Sequence, residues 1–369
     1  MRGMPLPIED RDEVRMREVG VDLSHKSPRS GTFIQIDHSV VHTSSIQEGL
    51  EVMDIDEALG RYDWLKEYWW KAVAIDMDTF TAETARNPNH GYFIRAMRGA
   101  KIKDPVQACL YIGKEGLAQR VHNVIIAEEG SELNIITGCT ISTLARSGMH
   151  VGISEFFVKK GARVSFTMIH SWADEVVVRP RTGVYVEEGG IFMSNFFCFR
   201  PVKDLQMYPT ARCVGVEAMA RFNAVLIAHP GSTMDVGSRA YLSAPESKTE
   251  MIARAVSKGG TIISRGHIIG EVPGVKGHLE CRGLLLSENG VIKAIPELEG
   301  RAEGVDLSHE AAIGKIAEEE VEYLMSRGFP RDIAVSIIVR GFLEVDIKGL
   351  PDRLQAEIGK MLDIMGKGL

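Results

Sequence analysis

A solenoid of stacked β-strands is the fold class this sequence predicts, on three observations. A glycine followed by a small residue recurs as Gly99-Ala100, Gly130-Ser131, Gly161-Ala162, Gly189-Gly190, Gly231-Ser232 and Gly259-Gly260. Each copy opens a run in which apolar and polar residues alternate with period two, the pattern of a strand with two distinct faces. The copies are spaced by 31, 31, 28, 42 and 28 residues, the 42 reading as a repeat with an insertion. Period-2 segments repeated at this length stack into coils and set side chains at equal offsets above one another. The expected architecture is mainly β: a right-handed parallel β-helix with an amino-terminal mixed α/β cap and a carboxy-terminal α-helical domain.

Residues 1–90 read as the cap. Ile55 to Ala72 carries Leu59, Tyr62, Leu65 and Trp69 at helical spacing, which predicts a helix packed on the solenoid's end. Trp69-Trp70 then reads as ordinary aromatic burial rather than a ligand platform. TFIQIDHSVVHT reads as a strand, so His38 and His42 do not make a helical zinc site. Residues 91–305 read as the solenoid. There GSELNIITGC aligns Leu133, Ile135, Thr137 and Cys139 on one face, GARVSFTMIH aligns Val164, Phe166, Met168 and His170, and GGIFMSNFFC aligns Phe192, Phe196 and Cys198. Open coil ends expose unpaired strand edges, which the flanking segments are expected to cap. Residues 306–369 read as helical. Val321, Leu324 and Met325 share one stripe, Gly328 stops that helix, and Pro330 opens a second with Ile333, Ile337 and Ile338. Pro351 opens a third with Leu354, Ile358, Met361, Leu362 and Met365. Three short helices cannot hide so much apolar surface alone, which points to docking on the solenoid, on a partner, or both.

Composition narrows the function classes. The 369 residues are 44% hydrophobic and 25% charged, ordinary for a water-soluble chain. A net charge of −7, from 43 basic and 50 acidic residues, argues against a general nucleic-acid or acidic-membrane binder. No apolar run approaches the roughly 18 residues of a membrane span. The opening MRGMPLPIEDRDEVR lacks the apolar core of a secretory signal. Five widely spaced cysteines, an odd number, suit reduced thiols in a cytoplasm. Neither GxxxxGKS nor GxxxxGKT occurs, so the chain is not expected to hydrolyse ATP. It is expected not to be an enzyme.

Two constellations can carry chemistry. Cys139, His170 and Cys198 each lie nine residues after their repeat's glycine, so coils in register stack them about 4.8 Å apart. A thiol–imidazole–thiol ladder can relay sulfur or hold a metal, and an imidazole helps ionise a thiol. The same thiols equally read as small buried hydrophobes. Cys281 in HLECRGLLLSENG, followed by His309-Glu310 in VDLSHEAAIGKI, offers thiolate, imidazole and carboxylate, all iron ligands. On spacing alone, a buried thiol with a His and a Glu where the helices begin reads as well. HSWADE, with Asp174 and Glu175, leaves open a carbohydrate-acting β-helix enzyme.

HLECRGLLLSENGVIKAIPELE, followed by LSHEAAIGKIAEEEVEYLMSRGFPRDIAVSIIVRGFL, resembles the carboxy-terminal half of the SufB/SufD proteins of iron–sulfur cluster assembly. GYFIRAMRGAKIKDPVQACLYIG and NVIIAEEGSELNIITGC resemble the start of that family's β-helix. The resemblance spans roughly residues 90–345. It implies that Cys281 matches the cysteine on which the nascent cluster is built, Glu310 the glutamate of SufB, and His309 the histidine that SufD contributes at the subunit interface. Cys139 matches a cysteine that accepts persulfide sulfur, and His170 and Trp172 fall where SufB has a Gln-x-Trp lining an internal path. The family partner is SufC, an ABC-type ATPase that grips the carboxy-terminal helices. The sulfur is supplied by way of a cysteine desulfurase. This chain departs from SufB at Tyr111, Gly113, Glu187 and His170, where the path residues differ in kind.

The chain combines the SufB-like cysteine and glutamate with the SufD-like histidine, which implies one gene product serving both roles as a homodimer, with a SufB/SufD-type heterodimer as the alternative. The expectation is therefore a cytoplasmic SUF scaffold, binding neither nucleic acid nor membrane, that carries a transient 4Fe–4S or 2Fe–2S cluster. Flavin use is left open. A SufD-like structural subunit without a cluster is the second expectation.

Overall fold

The computed structural model describes residues 10–24, 27–88 and 90–343, with residues 356 and 359 beside them. Two sheets face each other across one continuous core, and the chain passes from one to the other for about eight coils. The front sheet runs from Ser39–Ser45 through Gly31–Ile36, Val106–Ile112, Glu132–Ile141, Arg163–Ser171, Ile191–Cys198, Met219–Ala228, Lys248–Ser257 and Lys276–Leu285 to Asp306–Lys315. Every neighbouring pair after the first is parallel. The back sheet includes Leu117–Ala127, Ser147–Val158, Thr233–Leu242, Thr261–Gly270 and Val291–Gly300. Even where both faces of a strand are buried, alternation still sorts the inner side chains, such as Phe192 and Phe196, from the outer ones.

The turn into each front-sheet strand needs a residue in the left-handed region, which explains the glycine repeat. Gly99, Gly130, Gly161 and Gly189 have φ of 71°, 68°, 64° and 61°. The series then continues through Glu217 (59°), Glu246 (58°), Gly274 (78°) and Gly304 (73°). Gly231 and Gly259 occupy another corner of the coil and open the back-sheet strands Thr233–Leu242 and Thr261–Gly270. The apparent 42-residue step is thus no insertion. It is a change of corner, hidden because two glutamates hold turns that glycine holds elsewhere.

Two further expectations are corrected. Ile55 to Ala72 is not one helix: Ile55–Arg61 is α-helical, Tyr62 is extended, and Asp63–Glu67 is a 3-10 turn. Together with Trp69 and Tyr68 it lies over Phe93, Val124, Ile126 and Phe157 on the outer side of the back sheet, not on the solenoid's end. The amino-terminal end is closed instead by antiparallel strands, Ser39–Ser45 on Gly31–Ile36 and Leu50–Asp54 on Tyr92–Ala96. Asp306–Lys315 is a full strand paired with Lys276–Leu285, so the solenoid runs ten residues past the expected boundary at 305.

Helices Glu318–Ser326 and Arg331–Leu343 follow, separated by Gly328 at φ 94°. Ala334, Val339 and Leu343 are buried, Val339 and Leu343 in the cluster with Val256 and Leu284, whereas Ile333 and Ile337 face outward. The helix from Pro351 lies outside the described residues. No helix among the described residues is long and apolar enough to cross a membrane.

Candidate functional site

The two ends of the solenoid differ. Val291–Gly300 and Asp306–Lys315 form the last coil, each pairing with one neighbour strand among the described residues; Asp306–Lys315 is exposed on both faces, while Val291–Gly300 mixes exposed with half-buried residues. Cys281 sits one coil back, on the inner face with Leu279 and Gly283, and is 1% exposed. Burial pushes its thiol up. The Ser264 hydroxyl across the core and the Arg254 charge pull it partly back down, and Glu280 adds a small upward push. His309 stands opposite Leu279, and Ala311 opposite Cys281. His309 therefore shares the inner face of Cys281, with strand spacing and a two-residue offset setting their backbones about 8 Å apart.

Glu310 does not share that face. It stands opposite Glu280 on the outer side, where Arg282 pairs with it at 3.2 Å. Successive residues of a strand point to opposite sides, so once 306–315 is a strand, positions 309 and 310 cannot face one way. Within one chain Cys281, His309 and Glu310 do not converge. Among the described residues, three metal-ligating side chains meet only at Asp54, Asp56 and His90, where His90 Nδ1 is 2.9 Å from each carboxylate.

Cys139, His170 and Cys198 stand directly opposite one another on three adjacent strands. Burial lifts the Cys139 thiol well above its usual range and pushes Cys198 up to about 12. His170 is fully buried, and burial beside His150 drives its imidazole well below its usual range. Neither ring nitrogen of His170, nor Trp172 Nε1, has a hydrogen-bond partner. The His170 ring stands edge-on to Phe196 (4.9 Å) and Trp172 (5.3 Å) and lies 6.3 Å from His150. Gln119 donates its amide to the carbonyls of Asp37 and Tyr111, which turns its oxygen toward His150 Nδ1 at 2.9 Å. His150 Nδ1 accordingly carries the proton, and burial holds that imidazole down at about 4.

A cavity of about 40 Å³ lies between these two regions, lined by Phe196, Phe222, Leu226, Met251, Leu279 and Ser264 among others. Phe196 touches His170 at one end, and Ser264 contacts Cys281 at the other. Glu175 is exposed and paired with Lys203 rather than lining a groove.

Sequence reading missed Glu155 and His122. Glu155 is fully buried on the outer side of the back sheet, where it accepts the backbone N–H groups of Trp70, Ala72 and Val73 and meets His122 Nε2 at 2.7 Å. The Trp69 ring stacks on His122 with centroids 3.6 Å apart. A lone carboxylate inside the apolar run VGISEFFV was the available signal.

A family model described as the SufBD core domain of SUF-system FeS cluster assembly matches residues 110–342, most of the solenoid and both described helices. Fold and match together define a β-solenoid protein of iron–sulfur cluster assembly. The chain belongs to the SufBD family. It is 56% identical over 358 residues to an iron–sulfur cluster assembly SufBD family protein of Archaeoglobus fulgidus, covering 97% of this chain and 96% of that one. A relative in Methanothermobacter thermautotrophicus is 52% identical over 373 residues (100% and 90% covered), and one in Pyrococcus horikoshii 30% identical over 380 (100% and 85%).

Proposed function

We propose that this chain is a non-enzymatic scaffold on which a nascent iron–sulfur cluster is assembled, at a junction of two copies joined through their open last coils. The observation that carries the reading is the inner face shared by Cys281 and His309 at the end of the solenoid that no described element caps. Thiolate and imidazole both ligate iron. A two-fold junction doubles the set. It remains poorer in thiolates than a Cys₄ site, which suits a cluster that must leave. The unpaired edges of Val291–Gly300 and Asp306–Lys315 offer main-chain groups for joining a second copy.

Cys139 and Cys281 are each 1% exposed in the single chain, so sulfur derived from a cysteine desulfurase, once handed to Cys139 as a persulfide, suits an inner route by thiol exchange past His170 and through the small cavity to Cys281. A SufC-like ABC ATPase docks on the exposed apolar residues Tyr323, Met325, Phe329, Ile333 and Ile337. It supplies the ATP hydrolysis for which this chain has no phosphate loop. Five free cysteines suit a reducing compartment such as the cytoplasm.

The test is anaerobic reconstitution with ferrous iron and sulfide, reading visible absorbance, bound iron and mass for wild type and Cys281→Ser. Wild type is expected to load as a dimer and Cys281→Ser to lose most of the absorbance. Undiminished loading of Cys281→Ser, or a wild type that loads as a monomer, would overturn the proposal. A wild type that never loads would favour the structural, SufD-like subunit.

A further inference from the structure

The amino-terminal cap brings together three side chains that the proposed cluster junction does not use. Asp54 ends the strand Leu50–Asp54 and caps helix Ile55–Arg61, Asp56 lies in that helix's first turn, and His90 stands just before the strand Tyr92–Ala96. The two strands pair antiparallel with Asp54 opposite Tyr92, which gathers the three residues at one corner. The backbone there is fixed. Ile55 donates its N–H to the Gly91 carbonyl, and the His90 carbonyl accepts the N–H of His122 in the back sheet, both at 3.0 Å.

The Asp54 carboxylate divides its work. Its Oδ1 accepts the Asp56 N–H at 3.2 Å as the helix cap, which leaves Oδ2 for another partner. Oδ2 of Asp54 and Oδ2 of Asp56 each lie 2.9 Å from His90 Nδ1. That nitrogen is shut off from solvent, yet it forms an aligned hydrogen bond with neither oxygen. A hydrogen-bonded ion pair would satisfy it, whereas a nitrogen set to ligate aims at a point it shares with both oxygens. The distances favour a shared ion. Neighbouring ligands of an octahedral ion with bonds of about 2.1 Å stand about 3.0 Å apart, against about 3.4 Å around a tetrahedral one. Imidazole beside two carboxylates suits a divalent ion such as ferrous iron or manganese(II). The side chains of His90 and Asp56 are 36% and 56% exposed, so water can complete the coordination.

We propose that Asp54, Asp56 and His90 form a site for one six-coordinate divalent transition-metal ion, separate from the cluster junction. The ion ties together the two ends of residues 54–90, whose aromatic side chains cover the back sheet. It thus clasps the cap at a second point besides Glu155. Only coordination bonds form: the neutral imidazole gives its Nδ1 lone pair, any proton there leaves for solvent, and no electron moves.

The full-length chain is titrated with manganese(II) alone, read from the electron paramagnetic resonance of the free ion, and with ferrous iron alone, anaerobically, read by competition with a colorimetric chelator. One manganese(II) per chain is expected, and Cys281→Ser should keep it, so failure of the cluster reading leaves this one standing. Asp56→Asn should weaken binding at least about tenfold, the least that losing even a ligand's supporting partner costs. His90→Asn should do the same while keeping a residue suited to the left-handed φ of 59°. Glu57→Gln, in the same helical turn but paired with Arg61 at 2.9 Å, should bind as wild type does. Each variant is also unfolded in urea with and without manganese(II). The ion should raise the midpoint of wild type and Glu57→Gln but not of Asp56→Asn or His90→Asn. That comparison is made within each variant, so differences in their own stability drop out. Failure of both ions to bind, or binding undiminished in Asp56→Asn and His90→Asn, overturns the proposal and leaves an ordinary ion-paired corner. Binding lost equally in Glu57→Gln marks diffuse attraction to an acidic turn and overturns it as well.

Discussion

Replacing Glu155 with alanine would cut the anchor that fastens residues 70–73 to the back sheet. The carboxylate is fully buried and serves three backbone N–H groups, at 2.6 Å from Trp70, 2.5 Å from Ala72 and 3.1 Å from Val73, besides the imidazole of His122 at 2.7 Å. Each buried donor left without an acceptor costs about 1–3 kcal/mol, so four of them would cost roughly 4–12 kcal/mol if nothing moved. The segment can lift and let water in, which limits the loss. Burial pushes the His122 imidazole down and leaves it neutral, so no buried charge is stranded, and the expected loss is that of the unserved donors after partial relaxation, about 3–5 kcal/mol. Urea unfolding followed by tryptophan fluorescence reads it directly, since Trp69 and Trp70 lie at the anchor. Limited proteolysis should find new cleavage within residues 62–78. Glu155→Gln retains an acceptor but sets an amide donor against other donors, so it should fall between. A Glu155→Ala protein within ~1 kcal/mol of wild type, with 62–78 still protected, would show that aromatic packing rather than the carboxylate holds the segment.

Other perturbations probe the rest of the frame. Glu217 and Glu246 hold left-handed turns at φ 59° and 58°. Such a conformation costs a β-carbon residue about 1–2 kcal/mol, and the added freedom of unfolded glycine returns roughly 0.4–1 kcal/mol. Glu217→Gly and Glu246→Gly should each stabilise the fold by up to ~1.6 kcal/mol, read as a higher urea midpoint. A β-carbon on Gly183 would stand 2.1 Å from the Ala72 carbonyl oxygen. Gly183→Ala should therefore displace the segment that Glu155 anchors, destabilise by about 1–3 kcal/mol and open the same protease sites. His150 is held at about 4 by burial, against 6.5 when free. Between those values the unfolded chain binds a proton that the native chain does not. Stability is thus full above pH 6.5 and drains as pH falls toward 4, by something on the order of 3 kcal/mol. His150→Gln should flatten that slope in urea titrations run from pH 7 to pH 4.

Much of the frame was legible because it is periodic. Alternation and a recurring turn residue give strands and coils. Equal offsets place Cys139, His170 and Cys198 in one row, as the register has them. The repeat became unreadable where Glu217 and Glu246 took the glycine's place, since a left-handed glutamate leaves no mark in a sequence. The site was read less well for a related reason. VDLSHEAAIGK reads by sequence as the approach to a helix, so nothing local announces that His309 and Glu310 are strand neighbours that face apart. Arg282 and Glu155 carry no local signal because their importance comes from partners 28 and 82–85 residues away, a relation no local window contains. On the second helix, Ile333 and Ile337 looked like core by spacing, yet the smaller Ala334 faces inward.

The last coil, whose outer edge no described element covers, also bears on how a cell would handle this protein. If the outer edges of its final strands are completed by a second molecule, as proposed, the chain's lifetime is set by supply. Its thermal midpoint would climb with its own concentration, as for any association that selects the native state. Copies made in excess of their mates would present ready templates for runaway stacking and openings for proteases. Stoichiometry among the assembly's subunits, more than the intrinsic sturdiness of the coils, would then govern how much working material accumulates.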